Sequence, residues 1–135
     1  MTPHPAEAAR LLGTTSANIQ ADRLSATLAL AAKFHADVVL KGAGSVCAFA
    51  DQSWAINASG NAGLASGGTG DALAGMLGAL LAQKMPASEA LALAVCLHGA
   101  AADALVAEGI GPVGLTASEL APAARRLINA VTPLR

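Results

Sequence analysis

The sequence predicts a layered α/β domain, on three observations. A helix-periodic stretch ending near Phe34 gives way to Val38-Val39-Leu40, a continuous β-branched and apolar run that fits a strand buried on both faces. The glycine-rich turn Ser66-Gly67-Gly68-Thr69-Gly70-Asp71 then leads directly into the apolar-periodic segment Ala72 to Ala82. Finally, Ala87 to Val106 is apolar nearly all round, as expected of a helix covered on more than one side.

The elements follow in order. Pro5 to Leu12 opens on proline, carries Glu7 early and Arg10 late, and closes at Gly13, the pattern of a short helix. Ala21 to Phe34 reads as a second helix with Leu24 and Leu28 on one face, and Asp37 to Lys41 as the buried strand. Val46 to Ala50 and Ser53 to Asn57, separated by Asp51-Gln52, read as a hairpin. After the glycine turn, Leu73, Leu77, Leu80 and Leu81 form a helical stripe, and Gly75 and Gly78 leave room for a neighbouring element. Pro86 separates this helix from the next. Thr116-Ala117-Ser118-Glu119 is a capping box, with Leu115 and Leu120 as its hydrophobic staple, so a last helix is expected to about Val131.

With 135 residues the chain is long enough for one domain with a core and too short for two. Its apolar share is 54% against 13% charged, much of it alanine, which suits tightly packed helices and leaves apolar surface to bury against other subunits. Lys84, Glu89 and Asp103 interrupt the apolar stretches, so a membrane span is not expected. A net charge of −1 and 2% aromatic residues give neither a basic footprint nor a stacking platform for nucleic acid. Cys47 and Cys96 lie far apart without CxxC spacing, which argues against a zinc site or a disulfide framework. They read as small core residues of a reduced protein, and with no basic-then-apolar signal pattern the cytoplasm is the expected location.

Three segments carry candidate chemistry. The glycine turn can approach a ligand closely, and the free N–H groups and positive dipole end of the helix after it attract an anion. It is neither a Walker A loop, lacking Gly-Lys-Ser/Thr, nor a dinucleotide fingerprint, because Leu73 stands where a third glycine belongs. Asp71 beside such an anion is repulsive unless it handles a proton or a metal ion, which makes it the first candidate for chemistry; the alternative is an acid favoured by the helix dipole. Lys41-Gly42-Ala43-Gly44-Ser45 stands at the end of the buried strand, where open α/β sheets place ligand crevices; alternatively it is a turn with Lys41 in solvent. Thr2-Pro3-His4-Pro5 holds His4 in an extended presentation, although a lone histidine is more often structural.

Together, Thr2-Pro3-His4-Pro5-Ala6-Glu7, Val39 to Gly44, Gly60 to Gly75 and His98-Gly99-Ala100-Ala101-Ala102-Asp103 resemble, in order and through nearly the whole chain, the ADP- or ATP-dependent NAD(P)H-hydrate dehydratases of the ribokinase-like superfamily. The glycine-acid motif alone is shared with the superfamily's small-molecule kinases; the TPHP-x-E element is specific to the dehydratases. The resemblance implies a ribokinase-like layered fold with a mostly parallel sheet flanked by helices. It implies removal of water from (6S)-hydrated NADH or NADPH, at the expense of ADP or ATP, with Mg2+ on the phosphates. By the same resemblance Asp71 is the general base, His4 and Asp71 contact the hydrated dinucleotide, and Lys41, Gly42, Ala43, Gly44, Ser45, Gly68, Thr69 and Gly70 contact the nucleotide. No all-protein metal cage is expected, and His98 and Asp103 are read as structural residues of an apolar helix.

Ala6 stands where the family has glycine and Ala62 where it has proline, both mild departures. In the family, TPHP lies near the middle of a domain about twice this length, so residues 1–135 correspond to its C-terminal portion, the nucleotide half. A parallel sheet without its preceding strands exposes an apolar edge. The expectation is therefore a homo-oligomer, or association with a complementary N-terminal half; a ribokinase-like kinase and a non-enzymatic nucleotide-binding piece are the alternative functions.

Overall fold

The computed structural model describes residues 1–131. Helices α1 (Pro5–Leu12), α2 (Ser16–Ala21) and α3 (Arg23–Phe34) precede strands β1 (Val38–Leu40), β2 (Val46–Ala48) and β3 (Trp54–Ile56); helices α4 (Thr69–Ala82), α5 (Ala87–Ala107) and α6 (Ala117–Val131) follow. The layering is as expected. Side chains alternate across a strand, so Val38, Leu40 and Ala48 pack with Ala8, Ile19 and Leu30 on one face of the sheet. Val39 and Cys47 pack with Leu73, Leu91 and Val95 on the other. A further cluster of Leu105, Leu115, Leu120 and Ala123 joins α5 to α6, and Leu115 and Leu120 of the anticipated staple are both buried in it.

Strand pairing within the chain departs from the mostly parallel expectation. β1, β2 and β3 form an antiparallel meander, with Val39 opposite Cys47 and Cys47 opposite Ala55. The reason is connection length: residues 41–45 and 49–53 suffice for tight turns, whereas a parallel neighbour requires a crossover of about a dozen residues or more. A parallel element survives on the other side of β1. The Met1 nitrogen donates to Asp37 O (2.6 Å), Val39 N–H to Met1 O (2.9 Å) and Lys41 N–H to Pro3 O (2.9 Å), so residues 1–3 run alongside β1 in the same direction. Pro3, lacking an N–H, cannot return the next bond.

Several boundaries move for identifiable reasons. The helix expected from Ala21 starts at Arg23 as α3, because the Asp22 carboxylate caps it at Ser25 N–H (3.0 Å), and a separate α2, capped by Thr15 at Asn18 N–H (3.2 Å), precedes it. Residues 62–65 form a short 3-10 turn that sequence periodicity does not reveal. α4 starts at Thr69, inside the glycine motif and not after it, with Gly68 as its N-cap at φ 83°. The expectation of a close neighbour at Gly75 and Gly78 is not met: a Cβ at either would meet nothing within 4 Å. Cys47 is buried, and burial pushes its thiol up to about 11. Cys96, expected in the core, is exposed, because it lies on the α5 face turned away from the sheet. α5 is long and apolar enough to cross a membrane by composition, yet half of that stretch is buried inside the domain, against α4 and α6.

Candidate functional site

His4 is fixed by α1. Its Nδ1 accepts from Ala6 N–H (3.1 Å) and Glu7 N–H (3.2 Å), while the Glu7 carboxylate accepts from His4 N–H (2.7 Å), a capping box built with histidine. An Nδ1 occupied as acceptor leaves the proton on Nε2, which lies 3.4 Å from Glu7 Oε1. The backbone hydrogen bond from His4 is the main reason the Glu7 carboxyl is held below its ordinary range. His4 is therefore both a helix cap and a half-exposed ring whose available atom is a donor.

Glu7 leads to the next segment. Its carboxylate stands 4.0 Å from Lys41 Nζ. The Lys41 side chain crosses from there to the glycine turn, where a Cβ on Gly70 would stand 2.9 Å from Nζ. His4, Glu7, Lys41 and Gly70 thus form a contiguous row that joins the three segments singled out in the sequence. Arg23 supports the turn after Lys41: its guanidinium donates to Leu40 O (3.1 Å) and Gly44 O (3.4 Å) and covers Gly42. Ser45 Oγ closes that turn by donating to Gly42 O (3.0 Å).

The glycine turn is held from beneath. Thr69 Oγ1 lies within hydrogen-bond reach of Leu64 O (2.7 Å) and Ser66 O (2.9 Å), and His98 Nε2 donates to Thr69 O (2.9 Å). Gly68 needs its left-handed φ of 83° to turn the chain into α4, and no side chain caps the first N–H groups of that helix. Asp71 follows Gly70 in the first turn, exposed, and among the described residues its carboxylate accepts no hydrogen bond. The loop before the turn is pinned to α5. The Asp103 carboxylate accepts from Gly60 N–H (2.8 Å) and Asn61 Nδ2 (3.0 Å), and Ser59 Oγ donates to Cys96 O (3.0 Å). Gly99 is obligatory there, since a Cβ would collide with the Ser59 backbone.

His98 and Asp103 do not pair with each other; each braces a different loop of the site. Glu7, Arg23 and His98 are participants that spacing alone does not find. The available signals were an acid in the TPHP-x-E element and a histidine-glycine pair in an otherwise apolar helix. The arrangement offers free amides and an ammonium for a polyanion, with one unpaired carboxylate beside them. Among the described residues no cluster of three metal-ligating side chains occurs. A cleft of about 400 Å³ lined by Met1, Thr2, Pro3, Glu7, Arg10 and Leu11 adjoins the row and shares Glu7 with it.

A family model described as NAD(P)H-hydrate dehydratase matches residues 1–125. The chain is 53% identical over 132 residues to an ADP-dependent (S)-NAD(P)H-hydrate dehydratase of Neisseria meningitidis, covering 98% of this chain and 45% of that protein. It is 46% identical over 129 residues to the bifunctional NAD(P)H-hydrate repair enzyme Nnr of Escherichia coli, covering 96% and 25%. Its fold matches the crystal structure of an ADP/ATP-dependent NAD(P)H-hydrate dehydratase from Bacillus subtilis, co-crystallised with ATP/Mg2+ and soaked with CoA, at TM-score 0.90 and 36% identity, covering 96% of this chain and 47% of that one. The chain spans less than half the length of each of these relatives.

Proposed function

This chain belongs to the NAD(P)H-hydrate dehydratase family, and from that premise we propose that it supplies the nucleotide-gripping half of an enzyme that returns (6S)-hydrated NADH or NADPH to the reduced cofactor at the expense of ADP or ATP. The observation that carries this reading is the convergence of Lys41 Nζ on Gly70, at the open N-terminus of α4 with Asp71 next in the chain. A hydroxyl is a poor leaving group. Asp71 takes its proton while its oxygen attacks the terminal phosphorus, and the bond to the remaining nucleotide breaks. The phosphorylated oxygen then departs from carbon as inorganic phosphate, and loss of a ring proton from the adjacent carbon restores the double bond.

The amides of Gly68, Thr69 and Gly70 and the Lys41 ammonium stabilise charge on the transferred group. The turn Gly42-Ala43-Gly44-Ser45, braced by Arg23, presents backbone to the nucleotide, and the Nε2–H of His4 is a donor for the hydrated dinucleotide. Mg2+ fits this donor set as an ion carried mainly on phosphate oxygens, with Asp71 the carboxylate at hand; it would supply charge neutralisation. The reading extends to a cytoplasmic setting, supported by two unpaired cysteines. It extends also to association, as a homo-oligomer or with a complementary half, along the outer edge of residues 1–3.

The test follows NADH absorbance and phosphate release from the hydrate with ADP or ATP, using this chain alone and joined to a complementary upstream half. Recovery of NADH with stoichiometric phosphate supports the dehydratase. A stable phosphorylated product without phosphate release overturns it in favour of a small-molecule kinase, and nucleotide binding without turnover in either form leaves only a binding module.

A further inference from the structure

We propose that His98 is a positioning residue that aims and polarises the Gly70 N–H of the polyphosphate turn, an inference that rests on the nucleotide reading of that turn. A carbonyl can only accept, so the 2.9 Å contact between His98 Nε2 and Thr69 O requires the proton on Nε2. Thr69 C=O and Gly70 N–H are the two ends of one planar trans peptide unit. Fixing the oxygen from α5 therefore fixes the direction of the Gly70 N–H, on a residue whose Cα has Lys41 Nζ close beside it.

The side chain of Thr69 is tied as well, through Oγ1 at Leu64 O and Ser66 O, so this peptide is held on both flanks before any ligand arrives. A hydrogen bond to a peptide oxygen also strengthens the N–H at its other end, by the mutual polarisation of hydrogen bonds in chains. Burial outweighs the opposing effect of the Thr69 contact, with a smaller contribution from the Lys41 charge, and holds the imidazole below its ordinary range, which favours the neutral ring. A bland filler of this space would need volume but no N–H.

His98→Met keeps volume and removes the donor, whereas His98→Gln keeps an N–H at similar reach. In calorimetric titrations of the 135-residue chain, the Met variant should bind ADP up to roughly tenfold more weakly, the scale of one neutral hydrogen bond, with adenosine affinity within about twofold. The Gln variant should recover most of the ADP affinity. Equal losses for ADP and adenosine, or no loss for either, overturn the role while wild-type ADP binding preserves the nucleotide reading. Absence of ADP and ATP binding by the wild type removes both. Should the Met variant fail to fold, nitrogen NMR of the wild-type imidazole decides: an Nε2–H tautomer supports the role, and an Nδ1–H tautomer overturns it.

Discussion

At the scale of single residues, the site separates a carboxylate free to do chemistry from groups committed to structure. Asp71 accepts no hydrogen bond among the described residues, whereas Asp22, Asp51 and Glu119 each accept backbone or hydroxyl donors that hold them below their ordinary range. Asp71→Asn should therefore abolish turnover while nucleotide affinity stays within a few-fold, because the base is lost and the amides persist; steady-state rates beside ADP titrations check this. The buried His98 predicts a pH effect of opposite origin to the carboxylates. Its folded value is depressed below the ordinary 6.5, so its contribution is complete above that pH and is lost as pH falls through the lower folded value. The denaturation midpoint should start to decline as pH falls below about 6.5, and His98→Gln should flatten that decline. The cysteines differ in the same manner: alkylation should label exposed Cys96 rapidly and leave Cys47, pushed up to about 11 and buried, unmodified until the chain unfolds.

At the scale of elements, the sheet is the part on which both helical layers depend. Leu40 is fully buried on the sheet face that packs with Ala8, Ile19 and Leu30, and Leu40→Ala should cost about 2–5 kcal/mol in denaturant unfolding. Gly68→Ala should cost roughly 1–2 kcal/mol through its left-handed φ, and should weaken nucleotide binding beyond that cost by shifting the start of α4. These elements differed in how well the sequence announced them. The unbroken Val38-Val39-Leu40 run and the long apolar α5 were legible because burial on two sides leaves no polar positions. α2 was not, because Ser16-Ala17-Asn18-Ile19 carries too little periodicity in six residues and depends on the Thr15 cap. The strand directions were legible only in part. The short turns that force the meander could be read from the sequence, but the alignment of residues 1–3 beside β1 depends on a contact across 36 positions that no local pattern reports. In the candidate site, the phosphate-type turn and Asp71 were visible as a motif, and the braces Arg23 and His98 were not, because their partners are distant backbone carbonyls.

At the scale of the whole molecule, the three-layer body is complete around β1 and β2, while residues 1–3 form an outer edge. Thr2 directs its backbone away from β1, by the alternation of a parallel ladder, and among the described residues no strand meets it. Sedimentation of the isolated chain should show association, or an aggregation tendency relieved by a complementary upstream half; a monodisperse monomer indifferent to that half would count against the edge as an interface. β3 is a second exposed border, with Trp54 and Ile56 both more than half exposed. The central claim, that three distant segments meet to grip a polyphosphate, is tested most directly by mapping ADP onto the isotope-labelled chain through amide chemical shifts. The largest changes are expected at Gly68, Thr69, Gly70 and Lys41. Changes confined to other surfaces, such as the β2–β3 turn and the start of α5, would contradict it.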